Sequence, residues 1–265
     1  MSMIPYFEVQ SFFLGPIQIQ VWGLFVAFGF LAGMGAVLFF IKKKSLESDI
    51  VWELSFWLIL FSMVGARLVH VFFYDWIYYS QNFFSILKIW EGGLSSFGGF
   101  FAAVLVFWLY VKKRKVGFLK YADALVFGLP LGLCIGRIGC FLIHDHPGTF
   151  TSFFLGVAYP DGTRHDHGLY LSLLGLFIFI VLLGIFEYEK RKPLPSGIYL
   201  ISFLSIYGLV RFVLDFFRAW EGLLADQRLW GLTFAQYGSL AFLFLSLYTY
   251  RYIKKKSLSG KGLID

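Results

Sequence analysis

The chain is poor in what water-soluble proteins place on their surfaces: 15% of its 265 residues are charged, against 58% hydrophobic and 22% aromatic. No soluble core of this length hides that much apolar surface, so a water-soluble globular protein is excluded. Cysteine is scarce as well. Cys134 and Cys140 stand six residues apart in one apolar run, where they point to different sides of a helix and cannot bridge each other. A disulfide framework, a Cys-X-X-Cys redox pair and a zinc spacing are thereby excluded, and both cysteines read as packing residues. The sequence also lacks a low-complexity linker, an internal repeat and a soluble segment of domain length, so residues 1–265 read as a single integral membrane domain. Residues 1–20 have neither a basic n-region nor a small-residue cleavage site, so the first helix is expected to stay in the protein.

What the chain does have is apolar runs of membrane-crossing length, at about 18–41, 51–74, 93–111, 121–143, 169–186, 197–217 and 232–250. The expected fold class is all-α: a polytopic membrane protein, a bundle of about seven transmembrane helices. Most of the 23 lysines and arginines fall in 42–44, 112–120, 190–192 and 251–261. The positive-inside rule makes these segments cytoplasmic, which puts the N-terminus outside and the C-terminus in the cytoplasm. The net charge of +7 and pI near 9.3 come mostly from these anchors, so topology explains the basic balance and no nucleic-acid partner is expected. The long connections 75–92, 144–168 and 218–231 fall on the outer side, which marks an external working surface. Segment 75–90, with Trp76, Tyr78, Tyr79, Phe83, Phe84 and Trp90, has the composition of something lying in the membrane interface.

Three constellations interrupt the apolar pattern. Arg137 sits in Gly136-Arg137-Ile138-Gly139, near the end of an otherwise uncharged run, 124–143. A guanidinium at that depth costs roughly 2.5–3.5 kcal/mol, so it is expected to face a bundle interior or aqueous cavity and meet an anion there. Gly128, Gly132, Gly136 and Gly139 form a bare strip on the same helix. Close helix packing explains the strip alone; with Arg137 beside it, the strip is also a candidate bed for a lipid whose phosphate is held by Arg137, Gly136 and Gly139. Tyr207, Arg211, Asp215 and Arg218 share one face of the sixth run, where Arg211 and Asp215 are spaced to pair. The third constellation is a tripeptide that occurs twice, His144-Asp145-His146 and His165-Asp166-His167. Imidazoles flanking carboxylates bind transition metals or shuttle protons, and are equally ordinary loop polarity. With no thiolate in the tripeptides, no metal is expected.

Gly136-Arg137-Ile138-Gly139-Cys140-Phe141, continuing through Asp145 to Gly148, resembles the signature of the prolipoprotein diacylglyceryl transferase family, Gly-Arg-x-Gly-Asn-Phe followed by Gly-Glu and Gly. Gly65-Ala66-Arg67-Leu68 with Phe73-Tyr74 is similar to the family's second helix, and Trp90 with Gly92-Gly93-Leu94-Ser95 and Gly98-Gly99 to its next loop. Asp123 and Pro130 precede the signature in the expected places. Tyr207-Gly208, Arg211-Phe212 and Asp215-Phe216-Phe217-Arg218 resemble a Tyr-Gly, Arg-Phe, Glu-Phe-Phe-Arg segment, with Gln236 following in register.

The resemblance implies transfer of a diacylglyceryl group from phosphatidylglycerol to the lipobox cysteine thiol in the signal peptide of a preprolipoprotein, releasing glycerol 1-phosphate. The setting would be the bacterial plasma membrane, with the site toward the outer leaflet. No cofactor and no metal are implied. Arg137 would bind the lipid phosphate and Arg211 would steady the leaving group, with Tyr207, His165, Asp145 and Asp215 completing the candidate catalytic set. The departures are specific. Phe97 stands where the family has a histidine in Gly-Gly-x-Ser-x-His-Gly-Gly, Cys140 replaces the signature asparagine, and Asp145 and Asp215 replace glutamates. With Phe97 unable to accept a proton, His165 is the expected proton acceptor. The alternative is a relative that binds lipid or lipoprotein on the same scaffold without catalysis.

Overall fold

The computed structural model describes residues 4–89, 92–220 and 227–258; Trp90 and Lys261 lie outside the described residues. Long helices stand at the positions of the apolar runs: α1 (Val21–Lys44), α2 (Ser48–Phe73), α4 (Ser96–Arg114), α5 (Phe118–Ile143), α6 (His167–Glu189), α7 (Ile198–Leu214) and α8 (Phe234–Leu258), with a short α3 (Trp76–Gln81) between α2 and α4. Among the described residues, five helices are long and apolar enough to cross a membrane: α1, α2, α5, α6 and α7 with the turn that continues it to Phe217. The other two are diluted by polar residues. α4 ends in Lys112, Lys113 and Arg114, and α8 is broken up by Gln236, Ser239, Thr249 and four tyrosines. The protein is mostly helical, and the outward faces are apolar, as with Leu31 (65% exposed) and Phe244 (72%).

Its connections contain β-structure that the all-α reading omits. Strands β1 (Ile4–Pro5), β4 (Pro147–Phe150), β5 (Val157–Tyr159) and β6 (Gly162–Asp166) form a four-stranded sheet in the order β1-β5-β6-β4. β2 (Ser11–Leu14) and β3 (Ile17–Gln20) make a hairpin ahead of α1, and β7 (Arg228–Leu229) pairs with β8 (Leu232–Thr233). Strands of two to five residues are too short to show a period-two pattern, and β1 finds its partner about 150 residues away, at β5.

The chain divides into two compact units, residues 1–40 with 122–264, and residues 41–121. In the first, glycines let helices cross closely. A Cβ at Gly29 would lie 2.6 Å from the Gly132 carbonyl oxygen, and one at Gly33 would lie 3.1 Å from that of Gly128, so α1 and α5 touch backbone to backbone. α6 meets α5 in the same way, Gly175 against Pro130 and Cys134, and Gly168 against Phe141. Phe40, Phe127, Phe186 and Tyr199 fill the core beside this crossing, with Phe40 4.8 Å from Phe127 and 5.0 Å from Tyr199 between ring centroids. Asp123 on α5 accepts hydrogen bonds from the backbone N–H groups of Gly197 (2.5 Å) and Leu200 (2.8 Å), capping α7 from a neighbouring helix.

In the second unit α2 packs on α4, and a Cβ at Gly65 would lie 2.7 Å from the Gly98 carbonyl oxygen. Arg67 is buried and donates to the carbonyls of Ser85 (2.6 Å), Ile86 (2.9 Å), Lys88 (3.1 Å), Gly92 and Gly93 (3.0 Å), fastening the connection over α2. α3 and the 3₁₀ turn Phe83–Leu87 form that connection; Tyr79 is buried, under the Arg67 guanidinium, while Trp76, Phe83 and Phe84 are exposed.

Candidate active site

In the first unit the end of α5, the turn after it, the start of α6 and the end of α7 bring charged groups together at a single place. Arg211 on α7 is 9% exposed, and its Nη2 lies 2.9 Å from Oδ1 of Asp215, one turn on. Asp215 is fully buried and also accepts from the Thr233 hydroxyl. The Nη1 of Arg211 is buried with no hydrogen-bond partner among the described residues. Leaving a charged donor dry and unpaired costs more than the roughly 1–3 kcal/mol typical of a neutral one. The guanidiniums of Arg137 and Arg218 act on Arg211 electrostatically from nearby, and so does Tyr207, whose ring stacks on Phe203 at 5.4 Å. Arg211 therefore keeps a donor beyond its pairing with Asp215, with the Arg137 guanidinium within electrostatic reach. Chemically, that arrangement binds an anion.

Arg137 contrasts with Arg67, which meets five backbone carbonyls. Its guanidinium has one hydrogen-bond acceptor among the described residues, the Cys140 Sγ at 3.8 Å. The glycines beside it do different things. Gly128 and Gly132 are taken up by α1, and a Cβ at Gly139 would lie 2.8 Å from that of Phe25, with Trp22 also in contact. Gly136 alone of the strip has open space where a side chain would project. The expected bare bed is therefore reduced to the surroundings of Gly136.

The two His-Asp-His copies do meet. His144 of the first bonds Asp166 of the second, Nδ1 to Oδ2 at 2.8 Å, and its Nε2 bonds the Phe7 carbonyl at 2.9 Å. Tyr159 donates to the same carboxylate at 2.6 Å, and Asp166 also caps α6 by accepting from the Leu169 N–H at 2.9 Å. With both ring nitrogens engaged, His144 has no lone pair for a metal. This pair ties the N-terminal segment to the sheet. Burial raises the Tyr159 hydroxyl pKa well above its ordinary 10.0, so it stays a donor to Asp166.

His165, the expected proton acceptor, lies apart from these guanidiniums in an apolar cavity of about 730 Å³ lined by Phe153, Tyr170, Leu174, Phe177, Leu214 and Phe217, among others. Its Nδ1 bonds the Tyr170 hydroxyl at 2.7 Å, and burial lowers its pKa below the ordinary 6.5. Val210 and Leu214 line this cavity from α7, whereas Arg211 and Asp215 belong to the adjoining face of that helix. Asp145 and His146 are grouped with the cations. Asp145 Oδ1 is a buried atom without a hydrogen bond among the described residues, 3.7 Å from His146 Nδ1, and His146 feels both Arg218 and Arg137. Burial lowers the His146 pKa too, so its ring is neutral at neutral pH. His167 is fully buried; its Nε2 bonds the Leu214 carbonyl at 2.9 Å and its Nδ1 is unpartnered among the described residues.

His146, His167 and Cys140 are thus the members of the constellation that sequence reasoning does not select. The repeated tripeptide was the available signal, but the sequence does not reveal which imidazole of each copy turns toward the arginines. Cys134 does pack, its sulfur 3.5 Å from Ser172 Oγ. Phe97 lies in the first turn of α4, 51% exposed.

Comparison with known proteins gives a consistent family. The family profile described as prolipoprotein diacylglyceryl transferase matches residues 10–252. A protein named phosphatidylglycerol–prolipoprotein diacylglyceryl transferase in Nitratidesulfovibrio vulgaris is 31% identical over 256 residues, 95% of this chain and 96% of that protein. Proteins of the same name in Geobacter sulfurreducens and Desulfotalea psychrophila are 31% identical over 235 residues (83% of this chain, 87% of the relative) and 36% identical over 214 residues (77% and 78%).

Proposed function

The chain belongs to the prolipoprotein diacylglyceryl transferase family, and from that premise we propose that it moves the diacylglyceryl group of phosphatidylglycerol onto the lipobox cysteine of a preprolipoprotein signal peptide. The observation that carries the reading is the buried Arg211, which keeps one donor unpaired among the described residues and lies within electrostatic reach of Arg137. The phosphate of the bound lipid satisfies Arg137, the charge that develops on that phosphate as the C–O bond breaks satisfies Arg211, and a lipid brings the phosphate without its acyl chains leaving the bilayer.

In this reading Arg137, with the open backbone at Gly136, holds the lipid phosphate. The thiolate sulfur attacks the glyceryl carbon, the C–O bond to phosphate breaks, and glycerol 1-phosphate leaves with the bonding electrons. Arg211, fixed by Asp215 and flanked by Tyr207, stabilises the charge that gathers on the departing oxygen. His165 takes the thiol proton; its neutral ring and the apolar cavity around it suit a lipobox segment, which is itself apolar. Asp145 supplies a carboxylate beside His146 and Arg137. Gly139, covered by Phe25 and Trp22, contributes packing rather than phosphate contact.

The same reading takes all seven long helices across a bacterial plasma membrane as a single integral domain. The N-terminus is outside, the C-terminus is cytoplasmic, and the site opens to the outer leaflet. The test is release of glycerol 1-phosphate. Purified protein mixed with phosphatidylglycerol vesicles and a lipobox peptide should liberate glycerol 1-phosphate only when both substrates are present, and Arg137→Ala should abolish it. Folded wild-type protein that binds the lipid yet releases nothing would favour the non-catalytic alternative.

A further inference from the structure

Cys140, Asp145 and His146 each offer one ligand-type atom, and these atoms all lie within 4.8 Å of one another. We propose that they form a binding site for a borderline-soft divalent metal of the Zn²⁺ class, with three protein ligands and one open position. The inference does not depend on the transferase reading.

The donor set decides the metal class. One thiolate sulfur, one imidazole nitrogen and one carboxylate oxygen suit Zn²⁺ or Co²⁺, whereas Mg²⁺ and Ca²⁺ require oxygen alone. Zn–S distances near 2.3 Å and Zn–N or Zn–O distances near 2.0–2.2 Å put neighbouring ligand atoms roughly 3.5 Å apart, so closure asks for a shift of about 1 Å. Asp145 and His146 are placed to make it, since they are adjacent residues just beyond the end of α5, each with a side chain 32% exposed. Cys140 is buried near the end of that helix and forms the fixed corner.

Two observations point to a ligand here. Asp145 Oδ1 is a buried oxygen without a hydrogen bond among the described residues, and a bound cation would satisfy it. The Cys140 sulfur already accepts from a charged donor, Arg137 Nη1 at 3.8 Å, so its lone pairs belong to the same polar cluster as the carboxylate. A dication against thiolate, carboxylate and neutral imidazole leaves the three-ligand complex uncharged. Arg137 then remains unneutralised beside the open position, which selects an anion as the fourth ligand. Metal binding displaces the thiol proton to solvent and changes no oxidation state.

Cobalt reports on the site without any substrate. Titration of the purified, metal-free protein with Co²⁺ in detergent should produce ligand-field bands of a four-coordinate ion and a thiolate-to-cobalt charge-transfer band, at one Co²⁺ per chain and reversible by Zn²⁺. Cys134→Ser should keep the charge-transfer band and Cys140→Ser should lose it. Should Cys140→Ser misfold, His146→Gln is the second variant. It should keep its thermal unfolding midpoint and weaken Co²⁺ binding by more than the roughly 10–100-fold that loss of an outer-shell partner costs. Absence of the band in wild type, a band that follows Cys134, or His146→Gln binding Co²⁺ as tightly as wild type would overturn the proposal. If the transferase reading also holds, Zn²⁺ should inhibit turnover by engaging Asp145; the cobalt spectrum stands or falls independently of that.

Discussion

Arg67, Arg137 and Arg211 are one residue type in three states of satisfaction, and the difference assigns their work. Arg67 meets five backbone carbonyls and holds a connection in place, whereas Arg137 and Arg211 keep donors to offer. Arg211→Ala should lower kcat by roughly 10²–10³-fold, the loss seen when a transition-state donor is removed. Phosphatidylglycerol affinity, measured by equilibrium binding to lipid nanodiscs, should be nearly unchanged. Equal losses in both would assign Arg211 to ground-state binding. The two arginines were legible in the sequence because a charge in an apolar run is conspicuous. The meeting of Cys140 with Asp145 and His146 was not, because it depends on how the chain turns after α5. His146 and His165 add a pH dependence. Burial holds both pKa values below 6.5, so as pH falls below 6.5 the unfolded chain takes up protons that the folded protein refuses. Their contribution to stability is complete above pH 6.5 and is lost on acidification toward the folded values. The unfolding midpoint in detergent should decline across that window, and the His146→Gln, His165→Gln double variant should flatten the decline. An unchanged slope in the double variant would refute the assignment.

The element scale is governed by glycine-lined crossings. Gly33 has the Gly128 carbonyl where its own side chain would go, whereas Gly136 faces open space. Gly33→Leu should destabilise the protein by about 1–3 kcal/mol through overpacking. Gly136→Ala should leave stability within about 0.5 kcal/mol of wild type, as for a site away from core packing. Thermal unfolding of the two variants checks this, and a destabilised Gly136→Ala would mean that the strip is packed along its whole length. The helices were readable from composition because each apolar run is long. The sheet was not, because β4, β5 and β6 are short and β1 reaches them only through the fold. The strip itself was visible in sequence; its division between packing at Gly128, Gly132 and Gly139 and exposure at Gly136 follows from where α1 crosses.

At the scale of the whole molecule the basic segments set the proposed orientation, and cysteine labelling tests it. With Cys134 and Cys140 replaced by serine, Asn82→Cys should react with a membrane-impermeant maleimide in intact cells, and Lys113→Cys only after lysis. The opposite pattern would invert the topology. Both chosen residues are exposed, so the result reads membrane side rather than burial. Phe97, in place of the family's histidine, is the departure that bears most directly on the reaction. Mass spectrometry of a lipobox peptide incubated with the purified protein and phosphatidylglycerol tests its effect. The account predicts a diacylglyceryl thioether on the cysteine, formed by wild type and absent with Arg137→Ala. An unmodified peptide from folded, lipid-binding wild-type protein would contradict it.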